Sequence, residues 1–450
     1  MALEPEIVSV VDEGLGHSGH LVSAEGAVLV VDPLRSLDRY LEVVERRGWR
    51  VVWTADTHTH ADYVSGSPDL GRRGATFLAS RGARLAVPHR PLDGGDEIDV
   101  AGLTLRALPT PGHTPDHLAY LLLDGDRPVA VFTGGSLMVG TVGRPDLLGP
   151  DHVDALARAM WRSLHEQLLV LPDDLPVYPT HGAGSFCSAP GVTERTTTVG
   201  REKATNPFLQ AADEDSFVDQ LVRGVGSLPT HFSWLPEQNR HGLGPAPAPP
   251  LAQLEPDDVA RLVADGAEVV DVRPIGAFAE GHLPGSLSNA LRPVFASWLG
   301  WLVEPDRPLV FVADDTTDRA ELVRQCANIG YDRIAGELAG GAGAWRAAGR
   351  PLASIPVVAA ERIDEPVLDV RQAAEFRAGH VPGARNVELG TLGRAAPPIN
   401  GPIEVMCGHG ERAATAASIL ARAGHPEVRI ATGGPADWAV AHSRELEAGE

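Results

Sequence analysis

A cysteine lying between an apolar strand and a helix that opens on arginine is placed to act as a thiolate, and Cys407 is such a cysteine. The run Ile403-Glu-Val-Met406 reads as a strand, Cys407-Gly-His-Gly-Glu-Arg412 as a loop, and the alanine-rich segment 413–423, closed by Gly424, as a helix. A loop of this kind turns successive backbone N–H groups inward at a helix N-terminus, where an anion is stabilised. A thiol held there is expected to ionise more readily, and the thiolate is the nucleophilic form. Free cysteine often serves only as an apolar filler, but Gly-His-Gly followed by arginine would make a poor core. Cys407 and Arg412 are therefore the candidate catalytic pair, with Gly408, His409, Gly410 and Glu411 completing the anion-facing loop. His409 and Glu411 either tune an acceptor site or are solvated loop residues.

A second cluster carries metal-ligand chemistry. In Thr57-His-Thr-His-Ala-Asp-Tyr63, two histidines and an aspartate leave the end of the strand-like run 50–53 together. Imidazole and carboxylate donors suit Zn(II) or Fe(II). The remaining cysteines read as bland: Cys326 as a helix core position, and Cys187 as a structural thiol, although it shares a segment with His181. With only three cysteines and no CxxC spacing, no disulfide framework is expected.

The elements that must position these groups belong to more than one domain. A chain of 450 residues suggests about three domains of roughly 150 residues. Its 43% apolar and 22% charged residues are ordinary for a globular protein. A net charge of -22 without a basic block argues against nucleic acid as a partner. There is no long apolar run to span a membrane and no basic stretch leading into an apolar core at the N-terminus, so a cytoplasmic location is the default expectation. The Pro/Gly-rich stretch 242–250 reads as a linker. Before it, strand-like runs at 27–31, 50–53, 103–108, 119–123 and 129–132 alternate with helical stretches such as 151–169, giving a mixed α/β domain. After it the chain repeats itself at a constant spacing of about a hundred residues. Val269-Val-Asp-Val-Arg-Pro with Gly281-His-Leu-Pro-Gly-Ser286 recurs as Val367-Leu-Asp-Val-Arg-Gln with Gly379-His-Val-Pro-Gly-Ala384. Each copy ends in a Gly-Gly turn and a tryptophan, Trp345 or Trp438. The expected domains are 1–242, 251–352 and 356–450.

The repeat resembles the rhodanese family over residues 251–446, through its Asp-Val-Arg, Gly-His-x-Pro-Gly and Gly-Gly…Trp landmarks. The resemblance implies two α/β domains with parallel sheets, and a loop running from cysteine to arginine between a strand and a helix. It further implies that the Cys407 thiolate attacks sulfane sulfur and carries it as a persulfide. In the first copy Asp314 stands where Cys407 stands in the second, so Asp314-Asp-Thr-Thr-Asp-Arg319 has lost the nucleophile and takes a structural or interface role.

The N-terminal region resembles the metallo-β-lactamase superfamily. The HxHxD segment is accompanied, in order, by Val30-Val-Asp-Pro33, Thr110-Pro-Gly-His113-Thr, Phe132-Thr-Gly-Gly135-Ser and Tyr178-Pro-Thr-His181-Gly. The implied fold is a four-layer αββα sandwich with its site at the sheet edges. Fusion to rhodanese domains resembles the persulfide dioxygenases. Their mononuclear iron is held by the first histidine of the motif, the histidine of Pro-Gly-His, and an aspartate that follows Thr-Gly. Carried over, the first two are His58 and His113; the third falls on Gly135. Tyr63 stands where dinuclear zinc members have histidine. The donors that remain are His58, His60, Asp62, His113 and His181, sufficient for one divalent metal, with Fe(II) ranked ahead of Zn(II). Asp146, in Gly143-Arg-Pro-Asp146, is either a further ligand or an ordinary loop carboxylate. His17, His20 and His117 read as loop or supporting residues.

The resulting functional expectation is a persulfide dioxygenase-like metal domain coupled to a sulfurtransferase. The alternatives are a glyoxalase II-like thioesterase, or a sulfurtransferase beside a degenerate metal domain. The expected partners are a small-molecule thiol persulfide or thiosulfate, with a homo-oligomer compatible and no nucleic acid or membrane.

Overall fold

Along the strand Leu118–Asp124, Leu118, Tyr120 and Leu122 bury into one apolar cluster, while Ala119, Leu121 and Leu123 bury into another. A strand covered on both faces with period two lies between packed layers. The computed structural model describes residues 5–182, 185–186, 194–363, 367–393, 401–425 and 427–449. It separates into two compact units, Met1–Pro247 with Ala327–Gly330, and Ala248–Cys326 with Tyr331–Glu450.

The first unit is the αββα sandwich. One six-stranded sheet runs in chain order through Glu6–Asp12, His17–Ala24, Ala27–Val31, Arg50–Ala55, Thr76–Ser80 and Arg90–Leu92. Its first three strands are antiparallel and the rest parallel. The other sheet is ordered Thr197–Thr198, Pro176–Pro179, Arg127–Gly134, Leu118–Asp124, Leu103–Pro109 and Glu97–Val100. Val22, Leu29 and Val31 of the first sheet meet Leu105, Tyr120 and Phe132 of the second in the central core. On the far face of the second sheet, Leu121 and Val131 pack against Met160, Leu164, Phe217 and Leu221 of the covering helices. On the first sheet's outer face the helix Asp38–Arg47 buries Tyr40 and Val43, and a side chain on Gly19 would collide with Tyr40. The helix expected at 151–169 is regular only over Val153–Ser163; it then widens into a π turn, in which the Leu169 N–H reaches the Leu164 carbonyl at 2.8 Å.

The second unit holds both copies of the repeat, each with its own five-stranded parallel sheet in the same order. In the first copy that order is Gln253–Leu254, Ile334–Leu338, Leu309–Val312, Glu268–Asp271, Leu287–Ser288. In the second it is Val357–Ala359, Val428–Thr432, Ile403–Met406, Val367–Asp369, Arg385–Asn386. The repeated motif residues hold this frame. Arg371 pairs with Asp369 through Nε and Nη2 and also reaches the Gly379 carbonyl at 2.8 Å, tying a strand end to the Gly-His-x-Pro-Gly turn. Arg273, Asp271 and Gly281 repeat the arrangement. The two copies pack together: Ser288 N–H donates to Ser418 Oγ at 3.1 Å, Arg422 pairs with Glu268, and a side chain on Gly390 would overlap the Trp301 indole.

Candidate functional site

In the first unit the strand Arg50–Ala55 delivers the loop that carries His58, His60 and Asp62 to the sheet ends. Asp32, which follows the strand Ala27–Val31 with a positive φ of 51°, organises that loop. Its carboxylate accepts the Thr57 N–H at 2.7 Å, the Thr57 hydroxyl at 2.8 Å, the His60 Nε2–H at 3.1 Å, and the Thr180 hydroxyl. Burial opposes ionisation of Asp32, but His60 and these donors outweigh it and hold the carboxyl well below its usual range.

The hydrogen bonds fix which ring nitrogens are free. The single Thr57 hydroxyl proton goes to Asp32, so Thr57 Oγ1 accepts from His58 Nδ1 at 2.9 Å, leaving the Nε2 lone pair. His60 donates through Nε2 to Asp32, leaving Nδ1 for a proton or a metal. Burial lowers the pKa of this ring, but Asp32 with Asp56 and Asp62 outweighs burial and raises it, so a metal at Nδ1 displaces a proton. His113 Nδ1 donates to the Arg144 carbonyl at 2.8 Å, leaving Nε2. Asp62 Oδ2 stands 3.2 Å from His181 Nδ1 without hydrogen-bond geometry. His58 Nε2, His60 Nδ1, both nitrogens of His181 and Asp62 Oδ2 are buried without a hydrogen-bond partner. So many unsatisfied polar atoms in one place are costly unless something binds them. His58, His60 and His181 bring one nitrogen each within 4.8 Å of one another. The His113 ring lies 4.9 Å from His58 and 5.6 Å from His181. Burial, together with the neighbouring imidazoles, holds His58 well below its ordinary pKa and His113 at about 3, so both rings are neutral and able to ligate. The buried imidazole and carboxylate donors fit one divalent metal.

Two departures from the family pattern now have physical content. A side chain at Gly135 would collide with the His113 ring, coming within 2.9 Å of its Nε2. The imidazole occupies the space a carboxylate at 135 would need. Tyr63 stacks on His60 with ring centroids 4.3 Å apart, and its hydroxyl meets His60 Nε2 at 2.9 Å, filling the place of a second metal's histidine. Asp146 is held by Arg144 through both carboxylate oxygens, at 2.6 and 2.8 Å. His20 and His117 have both ring nitrogens engaged, His20 with Ser9 and the Pro179 carbonyl, His117 with Thr110 and the Gly135 N–H. His17 donates to the Asp32 carbonyl at 2.8 Å. Cys187 lies outside the described residues. Sequence reasoning assigned no role to Asp32 or Thr57; the one available signal was an aspartate at a strand end immediately before proline.

In the second unit, the strand Ile403–Met406 ends in Cys407 and the helix Glu411–Arg422 begins two residues earlier than the alanine run suggested. Gly410 precedes it with φ of 115°, a conformation that requires glycine, and its N–H donates to Cys407 Sγ at 3.1 Å. The thiol is buried. The terminal glycine pair is explained by the loop above it: a side chain on Gly434 would come within 2.7 Å of the Gly408 carbonyl oxygen. Arg412 donates from both terminal nitrogens to Glu375, at 2.7 and 2.8 Å. His409 and Glu411 sit in the loop and first helical turn.

The sister loop is closed on itself. Asp314 Oδ1 accepts from the Thr316 N–H at 2.9 Å and the Thr316 hydroxyl at 2.7 Å, while Arg319 binds the Asp314 and Thr317 carbonyls. The Asp314 carboxylate thus takes up a backbone N–H of its own loop. Cys326 is fully buried, and desolvation pushes its thiol far above the ordinary range, which makes it inert.

A family model described as Rhodanese-like domain matches residues 255–348 and 356–441. The chain is 29% identical over 204 residues to the mitochondrial persulfide dioxygenase ETHE1 of Homo sapiens, a match spanning 45% of this chain and 72% of that protein. It is 31% identical over 256 residues to a hydroxyacylglutathione hydrolase of Rhodopseudomonas palustris (strain BisA53), spanning 51% of this chain and 94% of that protein. Among solved structures, a metallo-β-lactamase from Staphylococcus aureus subsp. aureus COL superposes with a TM-score of 0.67 at 27% identity. That superposition covers 74% of this chain and 99% of the other.

Proposed function

We propose that this chain, which belongs to the metallo-β-lactamase-fold family and carries two rhodanese-like domains, transfers sulfane sulfur through Cys407 and acts on thiol persulfides with one divalent metal in its first unit. The observation that carries the sulfur-transfer reading is the Gly410 N–H aimed at Cys407 Sγ from the start of a helix. A donor to sulfur at that position stabilises the thiolate and the persulfide anion that replaces it. The thiolate attacks the outer sulfur of a small thiol persulfide. The donor's S–S bond breaks as the bond to Cys407 forms, and the thiol leaves with the proton. An acceptor thiolate then removes the sulfur by the same displacement. Thiosulfate is a second donor of the same class. Arg412, committed to Glu375, positions the loop rather than binding substrate.

In the first unit, His58, His60 and His181 would hold the metal, with Asp62 and His113 beside it. Asp32 and Thr57 orient His60 and His58 through the ring nitrogens that face away from it. A divalent metal there supplies Lewis acidity and, as Fe(II), redox chemistry with O₂. Tyr63 on His60 supports a mononuclear site, and likeness to a persulfide dioxygenase beside a sulfur-transfer domain favours Fe(II) over Zn(II). A second reading, a zinc thioesterase, is supported by the three-imidazole set, a ligand type of catalytic zinc, and by the hydrolase relative.

Elemental analysis of the purified protein, with oxygen uptake on glutathione persulfide and hydrolysis of a glutathione thioester, separates these readings. Stoichiometric iron with persulfide-dependent uptake is the expected result. Zinc with thioester hydrolysis would establish the second reading instead, and absence of metal would overturn both.

A further inference from the structure

The second unit contains a cavity of about 610 Å³ between the two copies of the repeat. Its walls include Ile275, Arg292, Thr316, Thr317 and Gln325 from the cysteine-less copy and Glu411 from the Cys407 loop. The copies are in direct contact at that loop: a Cβ on Gly410 would come within 3.2 Å of Ile275 Cδ1. Thr316 and Thr317 of the loop that lost its nucleophile thus line the same cavity as Glu411, which follows the loop that kept one. A cavity of this size suits a ligand of several tens of atoms, far larger than a lone sulfur anion.

The charges around this space are unevenly committed. Arg412 is bound to Glu375, Arg273 to Asp271, and Arg319 to Glu337. None of these three arginines lines the cavity, whose wall carries the carboxylates of Asp318, Glu321 and Glu411, with Arg292 as the basic residue among its lining. Arg292 differs from these arginines, because its Nε is buried with no hydrogen-bond partner. Burial lowers the pKa of its guanidinium, with Glu411 and Cys407 acting against that and Arg412 acting with it. A partly desolvated guanidinium without its full set of acceptors is stabilised by an incoming carboxylate, whose two oxygens match its fork of donors.

We propose that Arg292, supplied by the cysteine-less copy, binds a carboxylate of an anionic low-molecular-weight thiol persulfide and orients its outer sulfur toward Cys407. The proposal rests on the sulfur-transfer reading of Cys407 and gives the first copy a function within it, as the specificity wall of the second copy's site. The Cys407 thiolate attacks the outer sulfur of R–S–SH. The donor S–S bond breaks, a new S–S bond forms at Cys407, and R–S⁻ leaves and takes the proton of the transferred sulfur. The products are R–SH and the Cys407 persulfide anion, so charge and atoms balance without a further reactant.

The test compares loading of Cys407 in the full chain by glutathione persulfide, which carries carboxylates, and by an uncharged alkyl persulfide. Arg292→Met keeps the apolar stem and removes the charge. We expect the kcat/KM preference for glutathione persulfide to fall about tenfold to a hundredfold in this variant, the loss of a charged hydrogen-bonded contact. Arg292→Lys should restore part of the preference, and the thermal transition reports whether each variant is folded. An unchanged preference in a folded Arg292→Met protein, or an equal loss with both donors, would overturn the proposal. Undiminished loading of a Cys407→Ser protein would instead overturn the sulfur-transfer reading beneath it.

Discussion

At the scale of single residues, the metal centre depends on groups that touch no ligand. Asp32 and Thr57 decide which nitrogens of His58 and His60 remain free, and neither was legible as functional, because a tautomer is set by partners that folding brings from distant strands. The histidines themselves were legible from their spacing. Gly135 was legible only as a missing ligand; the structure shows that it is also a missing volume, taken up by the His113 ring. Gly135→Asp is therefore expected to destabilise the first unit by about 1–3 kcal/mol, the usual cost of overpacking. Thermal unfolding with parallel metal analysis measures this. A variant as stable as the parent that binds more iron would show that the pocket accepts the carboxylate after all.

At the scale of elements, the Cys407 loop is held from both ends. Gly434 lets the turn after the strand Val428–Thr432 approach the Gly408 carbonyl, and the Arg412–Glu375 pair ties the helix Glu411–Arg422 to the helix Ala373–Ala378. Burial works against ionisation of Glu375, but Arg412 outweighs it and holds the carboxyl below its ordinary pKa in the folded chain. The sign follows from that lowering. The pair's stabilisation is complete above the unfolded carboxyl value of about 4.3 and is lost as pH falls through the lower folded value. Glu375→Gln should be less stable than the parent at neutral pH, with the difference shrinking on acidification. A stability difference that stays constant across that acid range would contradict this role. The strands 403–406 and 309–312 were legible because they are short apolar runs bounded by turn residues. The strand His17–Ala24 was not, since it opens His-Ser-Gly-His and is nonetheless buried throughout, so no alternation marks it.

At the scale of the whole molecule, repetition was the most legible feature. Asp-x-Arg and Gly-His-x-Pro-Gly recur because each ties a strand end to a turn, a requirement that both copies share whether or not they carry a nucleophile. The cavity between the copies was not legible, because it is made by residues that have no common motif. The most direct test of the account is intact-protein mass spectrometry after exposure to glutathione persulfide, on the parent and on Cys407→Ser, each with and without prior metal chelation. The parent should gain the mass of one sulfur atom in both conditions and return it to an acceptor thiol, while Cys407→Ser gains none. Sulfur retained by Cys407→Ser, or loading of the parent that disappears with the metal, would contradict the assignment of sulfur transfer to Cys407.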